Sequence, residues 1–201
     1  MLKHSSRLQP FVLATVSLLL AVPAVHAVPI TYITSLSGAN EAPPVASSGT
    51  GTATVILDTD ADTLNIQVTF SGLTGNTTVA HIHCCVAPPG NAGVAVQPPT
   101  LTRFPVGVTS GDYNQTLDTA VASTYSASFI SANGGTVAGA EDALAAALKA
   151  GTAYFNIHTN FAPSGEIRGF LQAVPEPESF ALMGIGLAGI AVVTRRRKAG
   201  E

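Results

Sequence analysis

Leu64-Asn65-Ile66-Gln67-Val68-Thr69-Phe70 alternates apolar and polar residues without a break. Side chains along a strand repeat with period two. Leu64, Ile66, Val68 and Phe70 therefore share a core-facing side, and Asn65, Gln67 and Thr69 face water. Thr52-Ala53-Thr54-Val55-Ile56-Leu57 carries a similar alternation. Between the two lies Asp58-Thr59-Asp60-Ala61-Asp62-Thr63, a run of turn-forming residues, so the pair reads as a β-hairpin. The Asp58, Asp60, Asp62 spacing resembles the opening of a calcium loop. The Gly and bidentate Glu of an EF-hand do not follow, so the stretch reads as a solvated turn.

Outward from this hairpin, further strands are expected at residues 31–37, 78–84, 123–130, 153–159 and 166–171. Pro- and Gly-rich loops separate them at 87–93, 97–102 and 163–165. One segment, 141–149, has helical character. Glu141 and Asp142 open it, Lys149 sits in its last turn and Gly151 follows. The expected fold is all-β, a Greek-key β-sandwich or barrel with one short helix.

Both ends of the chain differ from this body. Lys3 and Arg7 precede an apolar run over 11–22, and Pro23 and Val25-His26-Ala27 follow. These are the parts of a secretory signal peptide, with cleavage expected after Ala27, and the run is shorter than the roughly 20 residues a membrane span needs. At the other end, Val174-Pro175-Glu176-Pro177-Glu178-Ser179 leads into an uncharged run over 180–194, closed by Arg195-Arg196-Arg197-Lys198. An apolar run stopped by cations is a stop-transfer pattern. The positive-inside rule keeps the cations cytoplasmic and the body outside. The expected organisation is a signal peptide over 1–27, a body over 28–173 and a sorting tail over 174–201 whose residues 180–194 cross the inner membrane.

The body carries nine acidic residues (Glu41, Asp58, Asp60, Asp62, Asp112, Asp118, Glu141, Asp142, Glu166) and three basic ones (Arg103, Lys149, Arg168), a net of −6 by subtraction. An acidic body without a basic patch argues against nucleic acid as a partner. No Gly-x-Ser-x-Gly elbow and no Gly-rich phosphate loop appears in the sequence, so no catalytic set is expected and a non-enzymatic role follows.

Chemistry concentrates in Ala80-His81-Ile82-His83-Cys84-Cys85 and Tyr154-Phe155-Asn156-Ile157-His158-Thr159. In a strand His81 and His83 point to one face, a natural start for a site that takes copper or zinc. His158 is the expected third ligand, with Glu166 as a further candidate and Cys85 on the same face as the two histidines. The same pattern also arises as a hydrogen-bonded polar cluster, and Glu166 as a simple partner of Arg168. Cys84 and Cys85 admit a vicinal disulfide, intermolecular bridges or thiolates beside the histidines.

Two resemblances organise these features. Val174 to Pro177, the apolar run and Arg195, Arg196 and Arg197 look like the PEP-CTERM sorting signal of Gram-negative bacteria. That resemblance implies recognition by an exosortase and removal of the tail near Pro175-Glu176-Pro177. The body resembles the CHRD domain through Leu36-Ser37-Gly38-Ala39-Asn40-Glu41-Ala42-Pro43-Pro44-Val45, Gly49-Thr50-Gly51-Thr52-Ala53, Ala80-His81-Ile82-His83, Gly90-Asn91-Ala92-Gly93, Gly151 to Thr159 and Gly165-Glu166-Ile167-Arg168-Gly169-Phe170-Leu171. This implies an all-β extracellular domain. The layout is also loosely similar to copper/zinc superoxide dismutase, an analogy of fold and motif only. The expected protein is exported by signal peptidase and exosortase processing. It is sorted to the surface, with extracellular polysaccharide or matrix as its surroundings. Its role there is structural or binding, or, as the alternative, that of an extracytoplasmic metal-binding or redox protein. Deleting residues 195–198 should shift the protein between membrane and medium and alter its C-terminal processing. Fractionation with immunoblotting checks this, and unchanged localisation and processing would remove the sorting claim.

Overall fold

The hairpin sets the pattern of the whole sheet. The computed structural model describes residues 28–175. In it β2 (Thr50–Asp58) and β3 (Thr63–Ser71) pair antiparallel from Thr50↔Ser71 to Asp58↔Thr63. Leu64, Ile66, Val68 and Phe70 are buried and Gln67 and Thr69 exposed, as the alternation requires. The turn is an Asx turn: Asp58 Oδ1 accepts from the backbone N–H of Asp60 and of Ala61, each at 3.0 Å.

β1 (Ile30–Ser37) pairs with β2 along its whole length. β4 (Thr77–His83), β5 (Val94–Val96), β6 (Gly111–Asp118), β7 (Tyr154–Thr159), β8 (Ile167–Phe170) and β9 (Gln172–Ala173) complete one antiparallel sheet. Its order is β5-β4-β7-β8-β1-β2-β3-β6, and β9 also pairs with β1. The sheet curls into a half-barrel, so the expected all-β class takes its barrel-like form. β8 can approach β1 closely because Gly169 has no side chain: a Cβ there would run into the Thr34 hydroxyl and the Ser35 carbonyl.

Two helices close the core. α2 (Val137–Ala150) begins earlier than its acidic residues suggest, because the Thr136 hydroxyl caps it by accepting from the Gly139 N–H. It ends at Gly151, which takes the left-handed conformation (φ 67°). Ala140, Leu144, Ala147 and Leu148 form its buried stripe. Leu144 and Leu148 are fully buried, each worth about 1.5–3 kcal/mol in transfer terms. The segment expected as a strand at 123–130 is instead a 3-10 turn (Ala122–Thr124) followed by α1 (Ala127–Ala132). Ser126 explains the difference. Its hydroxyl caps α1 by accepting from the Phe129 N–H, which gives the chain a helical start that alternation does not register. β6 was not expected; only its Tyr113 and Leu117 are buried.

The expected signal peptide over 1–27 and transmembrane segment over 180–194 lie outside the described residues, as do Glu176, Pro177, Arg195, Arg196 and Arg197 of the sorting motif. Pro175 is the last residue inside. Among the described residues no helix is long and apolar enough to cross a membrane.

Glu166 is fully buried just before β8. It does not pair with Arg168. Its carboxylate accepts from the Ser47 hydroxyl and the Thr74 N–H, each at 2.6 Å, from the Gly75 N–H at 3.1 Å and from the Thr159 hydroxyl at 2.5 Å. Burial pushes the carboxyl up, but these four donors outweigh it and hold the group below its ordinary range. A carboxyl lowered on folding contributes stability above its unfolded pKa, and that contribution is lost as pH falls through the folded value. Glu166→Gln should therefore cost about 2–4 kcal/mol at pH 7, from lost charge-assisted hydrogen bonds, and flatten the acid limb of the stability curve. Urea unfolding at pH 7 and pH 3 measures both. An equal cost at the two pH values would contradict the assignment.

Candidate metal centre

The curled sheet has two unlike faces at β4, β7 and β8. Ala80, Ile82, Phe155, Ile157 and Ile167 point into the apolar core. The alternate residues His81, His83, Tyr154, Asn156, His158 and Arg168 form a buried polar layer on the other face. Loops cover that layer, and Arg168 fastens them. Its guanidinium is fully buried and donates to Asn40 O (2.6 Å), Asn91 Oδ1 (2.6 Å), Gly90 O (3.3 Å) and Pro89 O (2.7 Å). Glu41 lies 3.7 Å away, and burial pushes its carboxyl up to about 7 against the pull of Arg168. The guanidinium also sits 4.8 Å over the Tyr154 ring.

Strand pairing brings the three histidines together. β4 and β7 set His81 opposite Asn156, His83 opposite Tyr154 and Val79 opposite His158. His158 thereby falls diagonally beside His81 on the same face. One ring nitrogen from each of His81, His83 and His158 lies within 4.8 Å of the others, and all three residues are buried.

The hydrogen bonds fix which nitrogens these are. His81 Nε2 lies 2.7 Å from Pro99 O, His83 Nδ1 lies 2.9 Å from Ala92 O, and His158 Nδ1 lies 2.9 Å from Pro163 O. A carbonyl only accepts, so each of these nitrogens carries the proton. Burial lowers all three pKa values, His83 to about 4, where the nearby His158, His81 and Arg168 charges add to the effect. The rings are therefore neutral at pH 7, and each turns one lone pair inward: His81 Nδ1, His83 Nε2 and His158 Nε2. His83 Nε2 is buried without a hydrogen-bond partner. His81 Nδ1 and His158 Nε2 face each other at 3.4 Å, two acceptors with no proton between them. Two nitrogens bound tetrahedrally at 2.0–2.1 Å stand about 3.4 Å apart. Backbone carbonyls that orient and polarise imidazoles from behind are the outer shell of metal-binding histidines.

The other candidates stand elsewhere. The Glu166 carboxylate is spent on the four donors described above. Cys84 and Cys85 are joined to each other in a disulfide. β4 ends at His83, so strand alternation no longer governs Cys85. Cys84 is buried in the core and holds its exposed neighbour through the sulfur, and no thiolate joins the histidines. The three carbonyl partners at Ala92, Pro99 and Pro163 carry no signal in the sequence, because every residue has a carbonyl.

Comparison with known families gives two matches, the CHRD domain over residues 32–171 and the PEP-CTERM protein-sorting motif over residues 173–198. Nothing matches among curated proteins or among solved structures. Thiol titration of the denatured, unreduced protein should find no free cysteine, and two per chain after reduction. Two reactive thiols without reductant would contradict the pairing.

Proposed function

Because the chain belongs to the CHRD domain family and continues into a PEP-CTERM sorting motif, which makes it an exosortase-sorted extracytoplasmic protein, we propose that its body serves outside the cytoplasm as a non-enzymatic metal-binding domain. His81, His83 and His158 hold one copper or zinc ion through His81 Nδ1, His83 Nε2 and His158 Nε2. The observation that supports this reading is the convergence of three inward lone pairs, each fixed by a carbonyl behind its ring. A hydrogen-bonded polar cluster would place a donor between His81 and His158, and here two acceptors meet at 3.4 Å.

The low exposure of the three histidines, 6, 7 and 8%, suits holding an ion rather than turning over a substrate. The metal's work is then to bind, to be stored, or to tie β4 to β7. The same reading includes signal peptidase cleavage after Ala27, a passing inner-membrane stage through residues 180–194, and delivery to the cell surface or its polysaccharide matrix.

Protein purified from its native envelope should carry about one copper or zinc ion per chain by elemental analysis. His83→Ala should lose it while keeping the β-sheet circular dichroism spectrum. Absence of bound metal, together with no uptake of either ion by the chelator-treated protein, would overturn the reading.

A further inference from the structure

We propose that the histidine cluster is built for monovalent copper, Cu(I), in preference to a dication, because it offers three neutral nitrogens and no anionic ligand in a buried layer. This rests on the metal-binding reading above and names its ion.

The charge balance carries the inference. Among the described residues the group of candidate ligands consists of the three histidines alone. Glu166 and the two cysteine sulfurs are committed elsewhere. Around the rings stand uncharged groups: the Tyr154 ring, stacked on His83 at 4.8 Å and 2°, the Asn156 amide, and the carbonyls of Pro99, Ala92 and Pro163. Beyond Tyr154 lies the fully buried Arg168 cation. Its carboxylate neighbour is Glu41, at 3.7 Å from the guanidinium.

An ion entering this layer leaves water and gains no anionic ligand from the protein. The cost of burying charge grows with the square of that charge, so a dication bears about four times the penalty of a monocation.

Coordination number points the same way. Zn(II) in a three-histidine site completes its tetrahedron with water or hydroxide, and Cu(II) favours a tetragonal set of nitrogen and oxygen ligands. Each then needs a further ligand, and an anion to balance its charge. Cu(I) has a filled d shell and is satisfied by three nitrogens.

The test uses the full chain, stripped of metal and purified in detergent. Under anaerobic conditions Cu(I) is titrated against a chromogenic Cu(I) chelator. Zn(II) and Cu(II) are titrated separately against chelators of known affinity. One Cu(I) per chain should bind about a hundredfold more tightly than Zn(II). A hundredfold preference for Cu(I) over Cu(II) would raise the copper couple by about 120 mV, at 59 mV per tenfold for one electron.

Asn156→Asp places a carboxylate of the same shape opposite His81 and beside the Arg168–Glu41 pair. If charge sets the choice, this variant narrows the Cu(I)-to-Zn(II) ratio at least tenfold. An unchanged ratio in a folded variant overturns the charge argument. A wild-type preference for Cu(I) below tenfold overturns the inference whether or not the variant folds, and leaves the metal-binding reading standing. Failure of all three ions to bind overturns that reading instead.

Discussion

One buried guanidinium holds the polar half of this protein in place. Arg168 leaves the sheet at β8 and donates into two separate loops, to Asn40 in one and to Pro89, Gly90 and Asn91 in the other. The second loop presents the Ala92 carbonyl that fixes the proton of His83, and the Tyr154 hydroxyl donates to the same oxygen at 3.3 Å. The orientation of a candidate ligand is thus connected, through four residues of loop, to a side chain on another strand. Removing a partner from a buried charge is costly because the remaining group keeps its desolvation penalty. The network therefore works as a unit, and its loops have little freedom to drift away from the histidines.

Glu166 does for the neighbouring loops what Arg168 does for its own. It lies two residues before Arg168 and takes donors from three separate places, Ser47, the Thr74–Gly75 backbone and Thr159. The motif Gly165-Glu166-Ile167-Arg168-Gly169 can now be read physically. Two opposite charges organise two sets of loops, Ile167 enters the core, and Gly169 lets β8 come close to β1.

Much of this was legible in the sequence where a local rule governed. Alternation located β2 and β3, and period two placed His81 and His83 on one face. It failed where a single side chain overrode the pattern, as at Ser126, whose hydroxyl starts a helix inside an apparent strand. It failed again where a strand ended, as at Cys85, whose direction follows its bond to Cys84 rather than the pleat. β6 was missed because just two of its eight residues are buried, leaving alternation little to act on. The pairing of His158 with β4 spans more than seventy residues and is decided by topology. The fate of Glu166 was equally out of reach, since the backbone N–H groups of Thr74 and Gly75 that claim it have no signature of their own.

The short strand β9 gives the body a definite polarity. It pairs Gln172 with Ile33 and Ala173 with Tyr32, and Val174 N–H donates to Thr31 O at 2.8 Å, so the chain leaves the body beside the point where it enters. The row Ser37–Arg168–Asn156–His81 crosses the sheet at the far end of β1. Six residues of strand separate it from Thr31, about 20 Å. A leash attached before residue 28 and one attached after residue 175 would pull on the same pole. Both points of attachment therefore lie at the pole opposite the histidine row.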